Sequence, residues 1–156
     1  MVWENIIQDR NFLSIPCIDA TDDEAKEIGS RLVRVLLESR DGIGLAANQI
    51  GIQKKVCLVR VEGPVLLVNP VIIAASGEIE FEEGCLSFPG ELIKTRRFTD
   101  IKVMTTNHPE ALRFSREKNL LECVCVQHEI DHLNGITMHT RGRGKDGSID
   151  QEHIST

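Results

Sequence analysis

The sequence predicts a fold in which helix, strands and helix come in blocks, and three observations carry that reading. Apolar residues at helical spacing follow a capping sequence at residues 21–24. Between residues 55 and 105, short β-rich runs are broken by glycine and proline. Helical character then returns over 117–134, the stretch that holds His128-Glu129-Ile130-Asp131-His132. Strands gathered in one block, with connections too short for helices, pair as hairpins in a mostly antiparallel sheet and not as βαβ units.

Thr21-Asp22-Asp23-Glu24 reads as a capping box, with Thr21 at the N-cap and Glu24 at N3. Ala25, Ile28, Leu32, Val35 and Leu36 follow on one face, and Asp41-Gly42 supplies the stop. Residues 21–40 are therefore expected to form an amphipathic helix laid on a core. Candidate strands are 55–61, 65–68, 71–74, 78–81 and 100–105, punctuated by Gly63-Pro64, Asn69-Pro70 and Ser76-Gly77. In the second helix Leu120, Leu121, Val124 and Cys125 make an apolar face, and Asn134-Gly135 ends it. The Gly-rich, charged run from Arg141 to Gly147 reads as the start of a mobile tail. The expected organisation is one domain over 1–140 and a flexible tail over 141–156.

At 156 residues and 41% hydrophobic content, the chain is large enough for one normally packed core. A net charge of −6 gives no reason to expect nucleic acid as a ligand and argues against anionic membrane surfaces. No apolar run reaches about 18 residues, so nothing is expected to span a membrane. Met1-Val2-Trp3-Glu4-Asn5 shows neither a signal nor a transit pattern. The five cysteines (17, 57, 85, 123 and 125) are an odd number, which favours reduced thiols in a cytoplasm over a disulfide framework.

The chemistry lies in the pentapeptide. Two histidines four apart sit about 40° apart around a helix, one turn up, so both imidazoles reach one metal ion. Glu129, beside the first, is placed to act on a water at that ion. The third ligand has three possible sources. A later histidine, as in the extended zinc-protease pattern HExxHxxGxxH, is matched as far as Gly135, but Met138 holds the last position and His139 is one residue late. A distal glutamate is represented after His132 by Glu152 alone, in the expected tail. An upstream thiol is offered by Cys85, between Gly84 and the Leu86-Ser87-Phe88-Pro89-Gly90 run. Cys123 and Cys125 compete with it from the histidine helix itself.

Three segments together resemble the signature motifs of the peptide deformylase family: Gly42-Ile43-Gly44-Leu45-Ala46-Ala47-Asn48-Gln49, Glu83-Gly84-Cys85-Leu86-Ser87 and Gln127-His128-Glu129-Ile130-Asp131-His132. The resemblance extends over about residues 5–140. It implies an α+β fold, with antiparallel β-sheets packed around a central helix carrying HExxH and an N-terminal amphipathic helix. It implies a metal-dependent hydrolase that removes the formyl group from the N-terminal formyl-methionine of newly made polypeptides and releases formate. Cys85, His128 and His132 would be the metal ligands and Glu129 the catalytic acid–base. The Gln49 amide and the Leu86 N–H would bind the formyl oxygen. The peptide would pair with backbone near Ile43 and Gly44, Glu83 and Gly84 would also contact it, and Leu121, Val124 and Cys125 would line the methionine pocket. The resemblance favours Fe2+ as the physiological ion, with Zn2+, Ni2+ or Co2+ accommodated by the same donors. It also implies a monomer in the cytoplasm of a bacterium, or of a host if the source is viral, with transient ribosome association.

The sequence departs from the family pattern in three places. Asn48 stands where proline or a small residue is usual, Glu91-Leu92-Ile93 replaces a stretch that often carries an arginine, and a long C-terminal helix is lacking. These bear on peptide preference rather than on the chemistry. A zinc peptidase is the competing enzyme reading, and the missing late ligand counts against it. A silent metal- or peptide-binding relative is the competing non-enzyme reading, and it gives Glu129 nothing to do.

Overall fold

The computed structural model describes residues 6–40 and 42–142. A short helix α1 (Arg10–Leu13), capped by Asp9, precedes α2 (Asp22–Glu38), whose start is the expected capping box: Thr21 accepts from Glu24 N, and Glu24 accepts from Thr21 N. The apolar stripe of α2 packs on β1 (Gly44–Ala46), β2 (Val56–Arg60) and β3 (Pro64–Val68), which pair antiparallel in that order. Ala46, Cys57, Val59 and Leu67 face the other way, onto the helix α3 (Arg116–Leu133). This sheet is thus covered on both faces, which is why β2 reads as a continuous apolar run rather than an alternating one.

A second antiparallel sheet, β4 (Val71–Ser76), β7 (Asp100–Met104) and β8 (Leu112–Ser115), buries Ile72, Ile101, Val103 and Phe114 in the same core. The hairpin of β5 (Ile79–Cys85) and β6 (Phe88–Arg97) stands apart as a two-stranded sheet. The helix α4 (Met138–Gly142) lies against this hairpin, with Met138 joining Leu13 and Phe88 in a small third cluster. Among the described residues no helix is long and apolar enough to cross a membrane.

The structure differs from the sequence expectations in several elements, each for a physical reason. Strand β6 was not expected, because Pro89-Gly90 and the charges at 91, 94, 96 and 97 hide its alternation; a two-stranded sheet tolerates a proline at its edge. Strands β1 and β8 are short, and β1 is made of Gly, Leu and Ala, so pairing rather than propensity creates them. The segment read as one helix from 117 is kinked: Asn119 is non-helical (φ −167°, ψ 107°), and its side chain caps Glu122 N at 3.0 Å. Helix α2 stops at Glu38, and Asp41 of the expected stop lies outside the described residues. The expected boundary at 140 falls inside α4, where Arg141 is buried and ion-paired. Residues 143–156 of the expected tail lie outside the described residues.

Gly135 ends α3 as anticipated, with φ +77°. A Cβ there would also lie 2.5 Å from Ser14 O, so glycine lets the N-terminal segment dock on the helix end. Thr21→Ala is expected to lower stability by about 1 kcal/mol, the usual loss for an N-cap, read from the midpoint of urea unfolding at unchanged slope.

Candidate active site

From Glu122 to Leu133 helix α3 is buried on all sides, so its polar residues must find partners inside the protein. His128 and His132 project one turn apart, with their Nε2 atoms 3.2 Å from each other. Cys85 comes from the end of β5, just before the two-residue turn Leu86-Ser87. The β5–β6 register shifts between Glu83 and Cys85, and such a bulge re-aims the side chain that follows. The Cys85 Sγ thereby lies 3.4 Å from His132 Nε2, and the three ligand atoms all fall within 4.8 Å of one another.

One thiol sulfur and two imidazole nitrogens converging beside a cleft suit a divalent transition-metal ion. The orientation of His128 supports this fit. Its Nδ1 donates to Glu83 Oε1 at 2.8 Å, which leaves the Nε2 lone pair directed at the other two donors. Burial, together with the neighbouring His128, holds His132 well below its ordinary pKa, so its imidazole is neutral and able to ligate. Burial opposes charge on His128 as well, but the Cys85 sulfur and Glu83 outweigh it and raise the pKa.

The competing candidates point elsewhere. The Cys123 Sγ faces Phe98 O and Phe114 O, away from the histidines. Cys125 borders the cleft, with its thiol pushed well up by burial and then by Glu129. His139 is engaged by Glu91 at 2.8 Å and stacks edge-on with Phe88.

Glu129 is 3% exposed, and its Oε1 has no hydrogen-bond partner among the described residues. Burial is the main reason its carboxyl is pushed up to about 7; Glu83 and Asp131 add to the rise, while His128 and Arg97 oppose it. Gly44 makes room for this carboxylate, since a Cβ at 44 would lie 2.5 Å from Glu129 Oε2 and 2.7 Å from Cys125 Sγ. At Gly44 the absence of a side chain thus keeps open the space that Glu129 occupies.

Gln49 is held in a 3-10 turn (Ala47–Ile50), where its Oε1 accepts from Ala46 N at 2.9 Å. That bond turns its Nε2 toward Ser87 Oγ (3.1 Å) and Cys85 Sγ (3.5 Å). Asn48 donates to His132 O at 2.7 Å, tying the first motif to the end of α3.

A cleft of about 390 Å³ opens beside these groups. Ile43, Gly44, Gln49, Glu83, Gly84, Cys85, Leu86, Leu121, Val124, Cys125, His128 and Glu129 border it, as do Phe81 and Pro89, which the sequence did not single out. His132 sits behind it, fully buried. Glu83, placed from the sequence among the substrate-side residues, borders the cleft while its carboxylate is engaged inward. Arg97 donates to it through Nε (2.5 Å) and Nη2 (2.8 Å), Thr95 donates to it as well, and Arg97 Nη1 reaches Asp131 at 2.5 Å. Burial alone would raise the Glu83 pKa, but the Arg97 guanidinium holds it well below the usual carboxylate range. Arg97 and Asp131 are therefore parts of the site that sequence reasoning missed. The one available signal was Asp131 lying inside the pentapeptide, and nothing marks Arg97 as buried.

A sequence profile of the polypeptide deformylase family matches residues 5–146. A peptide deformylase of Desulfitobacterium hafniense is 42% identical over 79% of this chain and 81% of its own length. One from Aquifex aeolicus is 36% identical over 92% and 89%. The crystal structure of a class I type b peptide deformylase from Acinetobacter baumannii with Met-Ala-Ser bound superposes with a TM-score of 0.75. It covers 90% of this chain and 98% of the other at 28% identity.

Glu83→Ala removes the partner that Arg97 and His128 share inside the protein. Breaking a buried pair of this kind typically costs about 3–5 kcal/mol, and guanidinium unfolding at pH 7 is expected to show a loss of that size.

Proposed function

The chain belongs to the polypeptide deformylase family, metal-dependent hydrolases that remove the N-formyl group from new polypeptides, and from that premise we propose how its own residues carry out the reaction. The observation that carries the reading is the convergence of Cys85, His128 and His132 beside a cleft that Glu129 also borders. In this proposal those three residues hold the metal. When bound, a divalent ion polarises a carbonyl and lowers the pKa of a bound water to about 7.

Glu129 is the general base and acid. A carboxyl with a pKa of about 7 is matched to neutral pH, so it can take a proton from the attacking water and pass it to the departing amine. The oxygen of the formyl group becomes negative during attack. The Gln49 Nε2, fixed by its partner oxygen's bond to Ala46, and the backbone N–H of Leu86 are the donors assigned to it. Such a donor typically contributes about 2.7–4 kcal/mol to the transition state.

The substrate is an N-formyl-methionyl peptide. In the proposal its backbone runs beside Ile43 and Gly44, where β1 is the outer strand of its sheet, and past Gly84 on the other wall. Its methionine side chain enters between Leu121, Val124 and Cys125. Fe2+ is the proposed working ion, with Zn2+, Ni2+ or Co2+ as substitutes in purified protein, since a thiolate and two imidazoles accept each of them. The same reading has the enzyme acting as a cytoplasmic monomer with transient ribosome association.

Protein purified without oxygen and loaded with Fe2+ is expected to release formate rapidly from formyl-Met-Ala-Ser, and to stop when the ion is chelated. No release from protein holding one ion per chain would overturn the proposal. Glu129→Ala is expected to keep its metal, measured by elemental analysis, and to lose nearly all turnover. Gln49→Ala should lower kcat about 100- to 1000-fold, as read in the same formate assay.

A further inference from the structure

Arg141 lies on α4, outside the cleft and outside all three motifs, yet it is buried. Its Nε donates to Asp131 Oδ2 at 3.2 Å and its Nη2 to Asp131 Oδ1 at 2.7 Å. Asp131 Oδ2 also accepts from Arg97 at 2.5 Å, Arg97 grips Glu83 through two nitrogens, and Glu83 accepts from His128 Nδ1. Alternating charges therefore run from the end of the described chain to one histidine of the metal centre, and Glu83, Arg97, Asp131 and Arg141 sum to zero.

Without Arg141, Arg97 would face two buried carboxylates alone. Interactions between charges in a dry interior are strong, so Asp131 would draw the guanidinium away from Glu83. Glu83 would then lose the contact that fixes its carboxylate, and the direction it gives the His128 Nε2 would no longer be set. Partners of this kind orient metal ligands, and losing one typically weakens metal binding about 10- to 100-fold.

We infer that Arg141 is a positioning residue for the metal centre, acting through Asp131, Arg97 and Glu83 to set how tightly Cys85, His128 and His132 hold a divalent ion. The inference rests on the reading of those three residues as ligands.

The test is the affinity of the reduced full chain for Zn2+, measured by competition with a chromogenic chelator at pH 7. Arg141→Met is expected to weaken binding about 10-fold. Arg141→Lys, which keeps the charge but loses the fork, should recover part of that loss. The double variant Asp131→Asn with Arg141→Gln restores charge balance and should also bind more tightly than Arg141→Met. In Co2+-loaded protein, Arg141→Met should shift the thiolate-to-metal absorption band, a change that a general loss of stability does not produce. Unchanged affinity in Arg141→Met, or a loss shared in full by the double variant, would overturn the inference. If Arg141→Met does not fold, Arg141→Lys carries the test, with a measurable loss smaller than about 10-fold expected and no loss counting against the inference. Cys85→Ser in the same assay tests the underlying reading separately: if it binds as tightly as the unaltered chain, the ligand assignment fails whatever Arg141 does.

Discussion

A buried guanidinium between two buried carboxylates holds the site in register. Arg97 reaches Glu83 on the hairpin and Asp131 on the central helix, and the hairpin carries Cys85 while the helix carries both histidines. Buried ion pairs contribute little net stability, because losing water offsets most of their attraction. Their contribution here is geometric. A slide of the hairpin along the helix would strand a charge away from water, so the sulfur and the imidazoles are kept at a fixed separation.

The same burial sets the proton chemistry. Glu83 and Glu129 each lie close to Cys85 or His128 in the sequence, and both are shut away from water, yet they move in opposite directions. Glu83 touches Arg97 and stays ionised. Glu129 has no such contact, and its carboxyl rises to about 7. One carboxylate is thereby kept ionised against a histidine and the other is left able to exchange a proton near neutral pH, a division made by the position of a single arginine.

The parts of this arrangement legible in the sequence were those with short-range patterns. The spacing of His128 and His132, the capping box at Thr21 and the glycine stop at 135 each belong to a rule that spans a few residues. Choosing among three thiols needed more than spacing, since Cys85 declared itself through its glycine-flanked setting and through the family resemblance. Arg97 could not be read, because an arginine beside another arginine in a charged stretch looks solvated until its strand is known, and that strand was itself hidden by Pro89 and Gly90. Arg141 was assigned to a tail because Gly142 and Gly144 follow it, although its own partner lies ten residues back.

The separation of the ligands along the chain has a consequence for how the protein is made. Glu83 and His128 are 45 residues apart, and Cys85 and His132 are 47. During synthesis the hairpin is complete well before the central helix has left the ribosome. Loops of that length close slowly compared with the pairing of neighbouring strands. With Cys85, His128 and His132 as the proposed ligands, metal capture waits for that loop to close, and until then Cys85 is a thiol without its partners, open to oxidation. In the proposed assignment each new molecule must therefore close that loop around an ion while its Cys85 sulfur is still reduced.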